Sequence, residues 1–246
     1  MSFPKLYVYG KITSIEIYTD DTMLKSGGLL WHTSIKGVRT IGGKLKMDKK
    51  FSIKEDFTML AILIIPIAVA VNFVGGQLAS MLKLPMYLDT IGTIFAAMLC
   101  GPWVGAVAGG LTNIVLGFAN PVNFWFIPVN VIVGLTTGWM SRKKWFTKPV
   151  MSIVGIVLMA VISTVASAPI VVYVFGGVTG GGTSILTATL MAAGQNIWAA
   201  FFGTDGLFTC LDRLISYVIS IAVIKVIPSR TLVKFGCGSL YIKEKK

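Results

Sequence analysis

The sequence predicts an all-α integral membrane protein of six transmembrane helices with both termini cytoplasmic, plus a partial outer helix between the fifth and sixth spans. Three observations carry this. The 246 residues are 54% hydrophobic and 13% charged, with a mean hydropathy of +0.79, far more apolar than a soluble domain of this length. The charge is segregated: between Phe57 and Ile227 the charged residues are Lys83, Asp89, Arg142, Lys143, Lys144, Lys148, Asp205, Asp212, Arg213 and Lys225. Apolar runs of bilayer length recur, and a hydrocarbon core about 30 Å thick takes roughly 20 apolar residues per helix.

Residues 1–46 do not match the remainder. They mix charge, glycine and short apolar runs without a sustained period, and carry no signal-peptide core. At Met47 the text becomes MDKKFSIKEDF, a charged lead into a long apolar run, as the start of a membrane protein reads. Codons for Gly42-Gly43-Lys44 can spell a purine-rich ribosome-binding sequence just upstream. Residues 1–46 are therefore expected to be a translated leader or a disordered cytoplasmic extension. Residues 47–231 form the membrane domain and 232–246 a basic cytoplasmic tail.

The first span is expected over 57–82, with Pro66 as a kink and Asn72 and Gln77 as polar insertions. The second and third, 87–100 and 103–118, form a hairpin turned by Gly101-Pro102. Its small residues Gly105, Ala106, Gly109 and Gly110 suit close helix packing in lipid. The fourth covers 124–141, the fifth 149–174 and the last 208–227, before Pro228. FGGVTGGGTS after the fifth is a glycine-rich loop. Residues 185–206 are long enough to span but polar at their end, through Gln195, Asn196, Gly203 and Asp205.

Positive-inside counting resolves that segment. Lys49, Lys50 and Lys54, then Arg142, Lys143, Lys144 and Lys148, then Arg230, Lys234, Lys243, Lys245 and Lys246 should share the cytoplasmic side. An even number of crossings must separate these clusters, so 185–206 becomes a partial outer helix. The outer face then carries 83–89, 119–123 and 176–206, the polar, aromatic and glycine-rich pieces where a ligand would be held.

Catalytic patterns are sparse. The single histidine, His32, falls in the leader segment, so no histidine dyad, triad or metal cluster can be built in the membrane domain. Cys100, Cys210 and Cys237 lack CxxC spacing. Gly180-Gly181-Gly182 lacks the lysine of a phosphate loop. The basic balance belongs to membrane edges rather than to a nucleic-acid surface. Asp212 adjoins Arg213 and is read as locally neutralised, and nothing in the spacing brings Asp89 to Asp205 or Asp212.

Buried amides and acids in a bilayer are costly and usually face a cavity or another helix. The candidate substrate-binding residues are Tyr87, Asp89, Asn113, Asn123, Trp125, Asn130, Tyr173, Gln195, Asn196 and Trp198. Amides pair donors with acceptors and carry no proton, which favours a neutral or amphipathic ligand and disfavours a strongly anionic one. Trp103, Trp139 and Trp145 read as an interfacial belt.

The runs LPMYLDTIGTIFAAMLCGPWVGAVAGGLTN, NFWFIPVNVIVGLTTGWMSRK, FGGVTGGGTS and GQNIWAAFF resemble, over about residues 50–230, the substrate-binding S components of energy-coupling factor (ECF) type ABC vitamin transporters. The resemblance implies a non-catalytic subunit of a bacterial cell membrane, with no intrinsic cofactor. It would capture a vitamin outside and dock on a transmembrane coupling (T) subunit driven by two cytoplasmic ATPases. Cobalamin is the vitamin of the branch it resembles most, with riboflavin, pantothenate, queuosine precursors or a pyrimidine as rivals. Docking in that family uses an AxxxA face of the first helix, and Ala61, Ala68 and Ala70 lack that spacing. The expected docking surface is instead Ala61 and Ala68 with Gly105, Ala106, Gly109 and Gly110. The competing reading is a stand-alone secondary transporter or channel for a small neutral solute, which should show an ion-coupling carboxylate deep in a span and an inverted repeat. An intramembrane enzyme would need a nucleophile and base that the sequence does not offer.

Overall fold

The computed structural model describes residues 38–41, 44–47 and 56–242, and the chain divides into two units between Phe51 and Ser52. In the first unit, strands β1 (Val38–Ile41) and β2 (Lys44–Met47) pair antiparallel, Val38 opposite Met47. The boundary expected at 46/47 falls inside this pair, and the rest of the expected leader lies outside the described residues.

The second unit is helical. Its elements are α1 (Met59–Met81), α2 (Ile91–Cys100), α3 (Pro102–Ala119), a 3-10 turn (Pro121–Phe126) leading into α4 (Ile127–Arg142), and α5 (Pro149–Pro169), which continues as a π-turn (Ile170–Val174). After these come α6 (Gly182–Ala192), α7 (Ile197–Val226) and the short α8 (Ser229–Leu232). Five helical stretches are long and apolar enough to cross a membrane: α1, α3, Pro121–Arg142, Pro149–Val174 and α7. The chain is a multi-pass membrane protein.

The second and sixth expected spans take a different form. The second shrinks to the ten residues of α2, about 15 Å of helix and half a bilayer. The residues before it, 84–90, are not helical, and Leu88 has a positive φ of 51°. Such backbone is tolerated at membrane depth only where protein satisfies its polar groups. Here Asp212 accepts the Tyr87 and Leu88 N–H groups, and Asn72 Oδ1 accepts the Gly92 N–H at 2.6 Å. At the other end of the chain, the partial helix is 182–192, not 185–206. Gly194, at φ 91°, ends that stretch, and the Asn196 side chain then caps α7 by accepting the Trp198 N–H at 2.9 Å. Residues 197–206 are thus the first turns of a continuous 30-residue helix, which carries both Asp205 and Asp212.

Sequence chemistry explains the packing. Gly101, at φ 113°, turns α2 into α3, and Pro102 supplies a first helical residue needing no N–H partner. The glycines of α3 lie against α4: a Cβ on Gly105 would meet Gly134 and Ala97, and one on Gly109 would meet Asn130. Backbone approach of this closeness replaces the missing hydrophobic drive between helices in lipid. Asn72 ties three helices together, its Nδ2 donating to Thr93 and to Thr112 at 2.9 Å each. Pro169, which has no N–H to donate, immediately precedes the π-turn of α5.

The connections sort into two ends. At the basic end, Asp56 pairs with Arg142, Ser141 bonds Met98 O and Tyr241 Oη at 2.8 Å each, and the Cys237 N–H reaches Leu99 O. Residues 232–242 are therefore packed onto the helices rather than hanging as a tail, with Leu232 and Phe235 buried. Burial raises the Cys237 thiol above its ordinary value, a shift that Arg142 partly opposes, and burial also raises the Tyr241 phenol. The opposite end gathers 83–87, 120–126 and 175–196.

Candidate functional site

α7 organises the site. Asp212 stands near its midpoint, fully buried, and its Oδ1 accepts from the N–H of Leu88 at 2.7 Å and of Tyr87 at 3.2 Å. Its Oδ2 pairs with Arg213 at 2.8 Å. Arg213 also donates to Thr90 Oγ1 and lies 3.5 Å from Ser163 Oγ. One carboxylate thus fixes the non-helical segment and holds a guanidinium against it. Two turns toward the opposite end, Asp205 accepts from Tyr87 Oη at 2.5 Å and from Thr209 at 3.3 Å. Tyr87 Oη also lies 3.1 Å from Thr183 Oγ1, which joins α6 to the same network.

Beside this network is a cavity of about 160 Å³. Its walls come from α1 (Gly76, Gln77), the 84–90 segment, α3 and α4 (Asn113, Asn130), α5 (Ser163, Ser167), the start of α6 and α7 (Asp205, Thr209, Arg213). Asn130 Nδ2 donates to Asn113 Oδ1 at 2.8 Å, and Asn113 Nδ2 reaches Asn123 O at 3.4 Å. The Asn130 Oδ1, in a residue only 3% exposed, has no hydrogen-bond partner.

Of the ten expected substrate-binding residues, the cavity brings together Tyr87, Asp89, Asn113, Asn123 and Asn130. The other five lie elsewhere. Trp125 is 53% exposed with its ring edge-on to Phe175, and Tyr173 is 77% exposed against Trp198. Trp198 stacks on Phe202 beside the small apolar cluster of Ala168, Val171 and Phe201. Gln195 is exposed after α6, and Asn196 is occupied as the cap of α7. Trp125 and Tyr173 are thus exposed and Trp198 is half-buried against that cluster, and none of the three lines the cavity.

The residues expected to dock a partner are internal. Ala61 and Ala68 are buried, Gly92 sits on the Ala68 backbone, and Gly105, Ala106, Gly109 and Gly110 are buried, the glycines against Ala97 and α4. Intramolecular close packing uses the small-residue stripe.

Sequence reasoning did not identify Arg213, Thr90, Ser163 or Thr209 as cavity residues, and it treated Asp212 as neutralised. An adjacent acid and base in the middle of an apolar run was the available signal: two charges at membrane depth are costly unless both meet further partners. Gly181 and Gly182 of the supposed flexible loop form a wall of the cavity, with the Leu84 carbonyl against Gly182. Comparison with family models, with curated proteins and with solved structures finds no match to this chain.

Proposed function

We propose that this chain is a membrane substrate-capture subunit of the ECF type. It binds a small vitamin-like molecule in the cavity between the 84–90 segment, α3–α4 and α7, and delivers it by docking on a coupling subunit driven by two ATPases. The observation that carries this reading is the cavity itself: a space inside a membrane helix unit lined by apolar side chains together with several amides, bounded by a non-helical segment, with one amide oxygen left unpartnered. Pre-formed concave sites with a few convergent polar groups are where small molecules bind. On the positive-inside reading the basic end is cytoplasmic and the cavity end faces outward, as capture from outside requires.

The cavity volume bears on which vitamin. At about 30 Å³ per water, it holds on the order of five waters. That supports a ligand of one or two rings, such as a pyrimidine, over cobalamin, whose corrin ring would require the walls to part.

A second reading has an observation of its own. Asp205 and Asp212 both lie inside α7, and α2 is a half-helix preceded by unwound backbone, features that secondary transporters use for ion coupling. The test separates the two readings. Affinity purification of the tagged chain from its native membranes should bring down a transmembrane coupling protein and two ATPases. Ion-gradient-driven uptake by the lone chain in vesicles, without those partners, would favour the second reading.

A further inference from the structure

The cavity's charge balance identifies the kind of ligand it takes. Four charged side chains surround it: Asp89, Asp205 and Arg213 on its wall and Asp212 directly behind. Arg213 is engaged by Asp212, so that pair is neutral as a unit. Asp205 is 4% exposed and meets only the hydroxyls of Tyr87 and Thr209, both neutral donors. Asp89 forms no ion pair; among the described residues the two ion pairs are Asp56–Arg142 and Asp212–Arg213. Arg213 is the one cation beside the three carboxylates around this cavity, which therefore lacks a full counter-charge from the protein. The positive end of α6 does not supply one, because the Lys83 and Leu84 carbonyls lie against Gly182 at its first turn. Independently of the acids, the buried Asn130 Oδ1 lacks a donor in the same wall.

The needs of the two acids and of Asn130 Oδ1 are for a donor or a positive charge. A carboxylate held away from water is costly unless paired, and a buried acceptor left without a donor costs about 1–3 kcal/mol. Resting on the capture reading above, we infer that the ligand is a small cationic nitrogen compound, a protonated amine or charged nitrogen heterocycle. Its positive centre lies in the cavity, against the wall that carries Asp89 and Asp205. This departs from the neutral ligand that the amides alone suggested, because the fold adds Asp205 and Asp89 to the amide wall.

Three near-isosteric pyridines test the inference: 1-methylnicotinamide (cation), nicotinamide (neutral) and nicotinate (anion). Each is titrated into the purified full chain in nanodiscs, with binding read by thermal shift and by displacement of any molecule retained from the cell, followed by native mass spectrometry. The cation should bind at least tenfold more tightly than the anion, and Asp89→Asn or Asp205→Asn should reduce that preference at least tenfold. The wild-type order stands even if a variant fails to fold. Equal responses to the three probes, no response to any, a preference for nicotinate, or retention of an anionic molecule would overturn the inference. The capture reading fails by a different result, the absence of any coupling partner in the pull-down above.

Discussion

Asp212 Oδ1 receives the backbone N–H of Leu88 at 2.7 Å, from a residue whose φ is 51°. One side chain in the middle of α7 thereby holds open the non-helical segment that forms a wall of the cavity. The same carboxylate anchors Arg213. Asp212→Ala should strip the segment of its acceptor and leave a buried guanidinium unpaired, a loss of about 3–5 kcal/mol by the measure of broken buried pairs. The double variant Asp212→Ala/Arg213→Met should recover part of this. Denaturant unfolding in mild detergent compares the three proteins, and a double variant no more stable than the single one would contradict the pairing.

Tyr87→Phe removes the hydroxyl between Asp205 and Thr183 while keeping the ring. A hydrogen bond to a charged group contributes about 1.5–3 kcal/mol. Part of that loss should be visible in thermal stability and part in affinity for the retained ligand, since Tyr87 lines the cavity. Ligand dissociation measured alongside melting separates the two contributions, and a variant unaffected in both would exclude the network.

The small-residue stripe of α3 now makes a different prediction from the one its sequence invites. Because Gly105 faces Gly134, Gly134→Ala on α4 should damage the protein as Gly105→Ala does. Overpacking of this kind costs about 1–3 kcal/mol. Both variants should melt lower as isolated chains, without any partner present. If only complex formation suffered and the isolated chain melted normally, the stripe would be a docking surface after all.

Asn72 should behave as a three-way bolt. Its amide donates to Thr93 and Thr112 and accepts from Gly92 N–H. With interhelical hydrogen bonds in membranes averaging about 0.6 kcal/mol and reaching about 1.7, Asn72→Leu should cost roughly 2 kcal/mol, including the orphaned Gly92 N–H. Melting of this variant beside Gln77→Leu, whose side chain faces the cavity, checks the assignment.

The basic end predicts a pH dependence. Burial raises the Cys237 thiol and the Tyr241 phenol above their ordinary values of 9.0 and 10.0. For groups whose folded pKa is raised, the stability they contribute is complete below the ordinary value and is lost as pH rises through the folded one. Unfolding followed from pH 7 to 10.5 should therefore show stability falling above about pH 9, and the fall should be smaller in Cys237→Ala/Tyr241→Phe.

Much of the fold was legible in the sequence because lipid imposes a simple rule: apolar runs of bilayer length must be helices. The grouping of Gly101, Arg142 and the C-terminal residues at one end follows from that alternation. Two places escaped it. Asn196 is a polar residue that starts a helix rather than interrupting one, so the break between 192 and 197 was set too late in the chain. Residues 87–90 were read into the second span, and only Asp212, more than a hundred residues away, supports their unwound form. The cavity was legible through its amides, Asn113 and Asn130, whose burial in lipid needs a reason. Trp125, Tyr173 and Trp198 lie outside the cavity for an equally physical cause, since aromatic residues serve a membrane interface as readily as a pocket. Arg213 was hidden because its neighbour in sequence seemed to account for it.

Native mass spectrometry of the full chain, extracted gently from its own membrane, tests the central claim most directly. The protein should carry one small molecule per chain. The Ser167→Phe variant, which fills the cavity from α5, should melt normally and carry none. A wild-type chain that never retains a ligand, or a Ser167→Phe chain that retains the same molecule at the same occupancy, would contradict capture in this cavity.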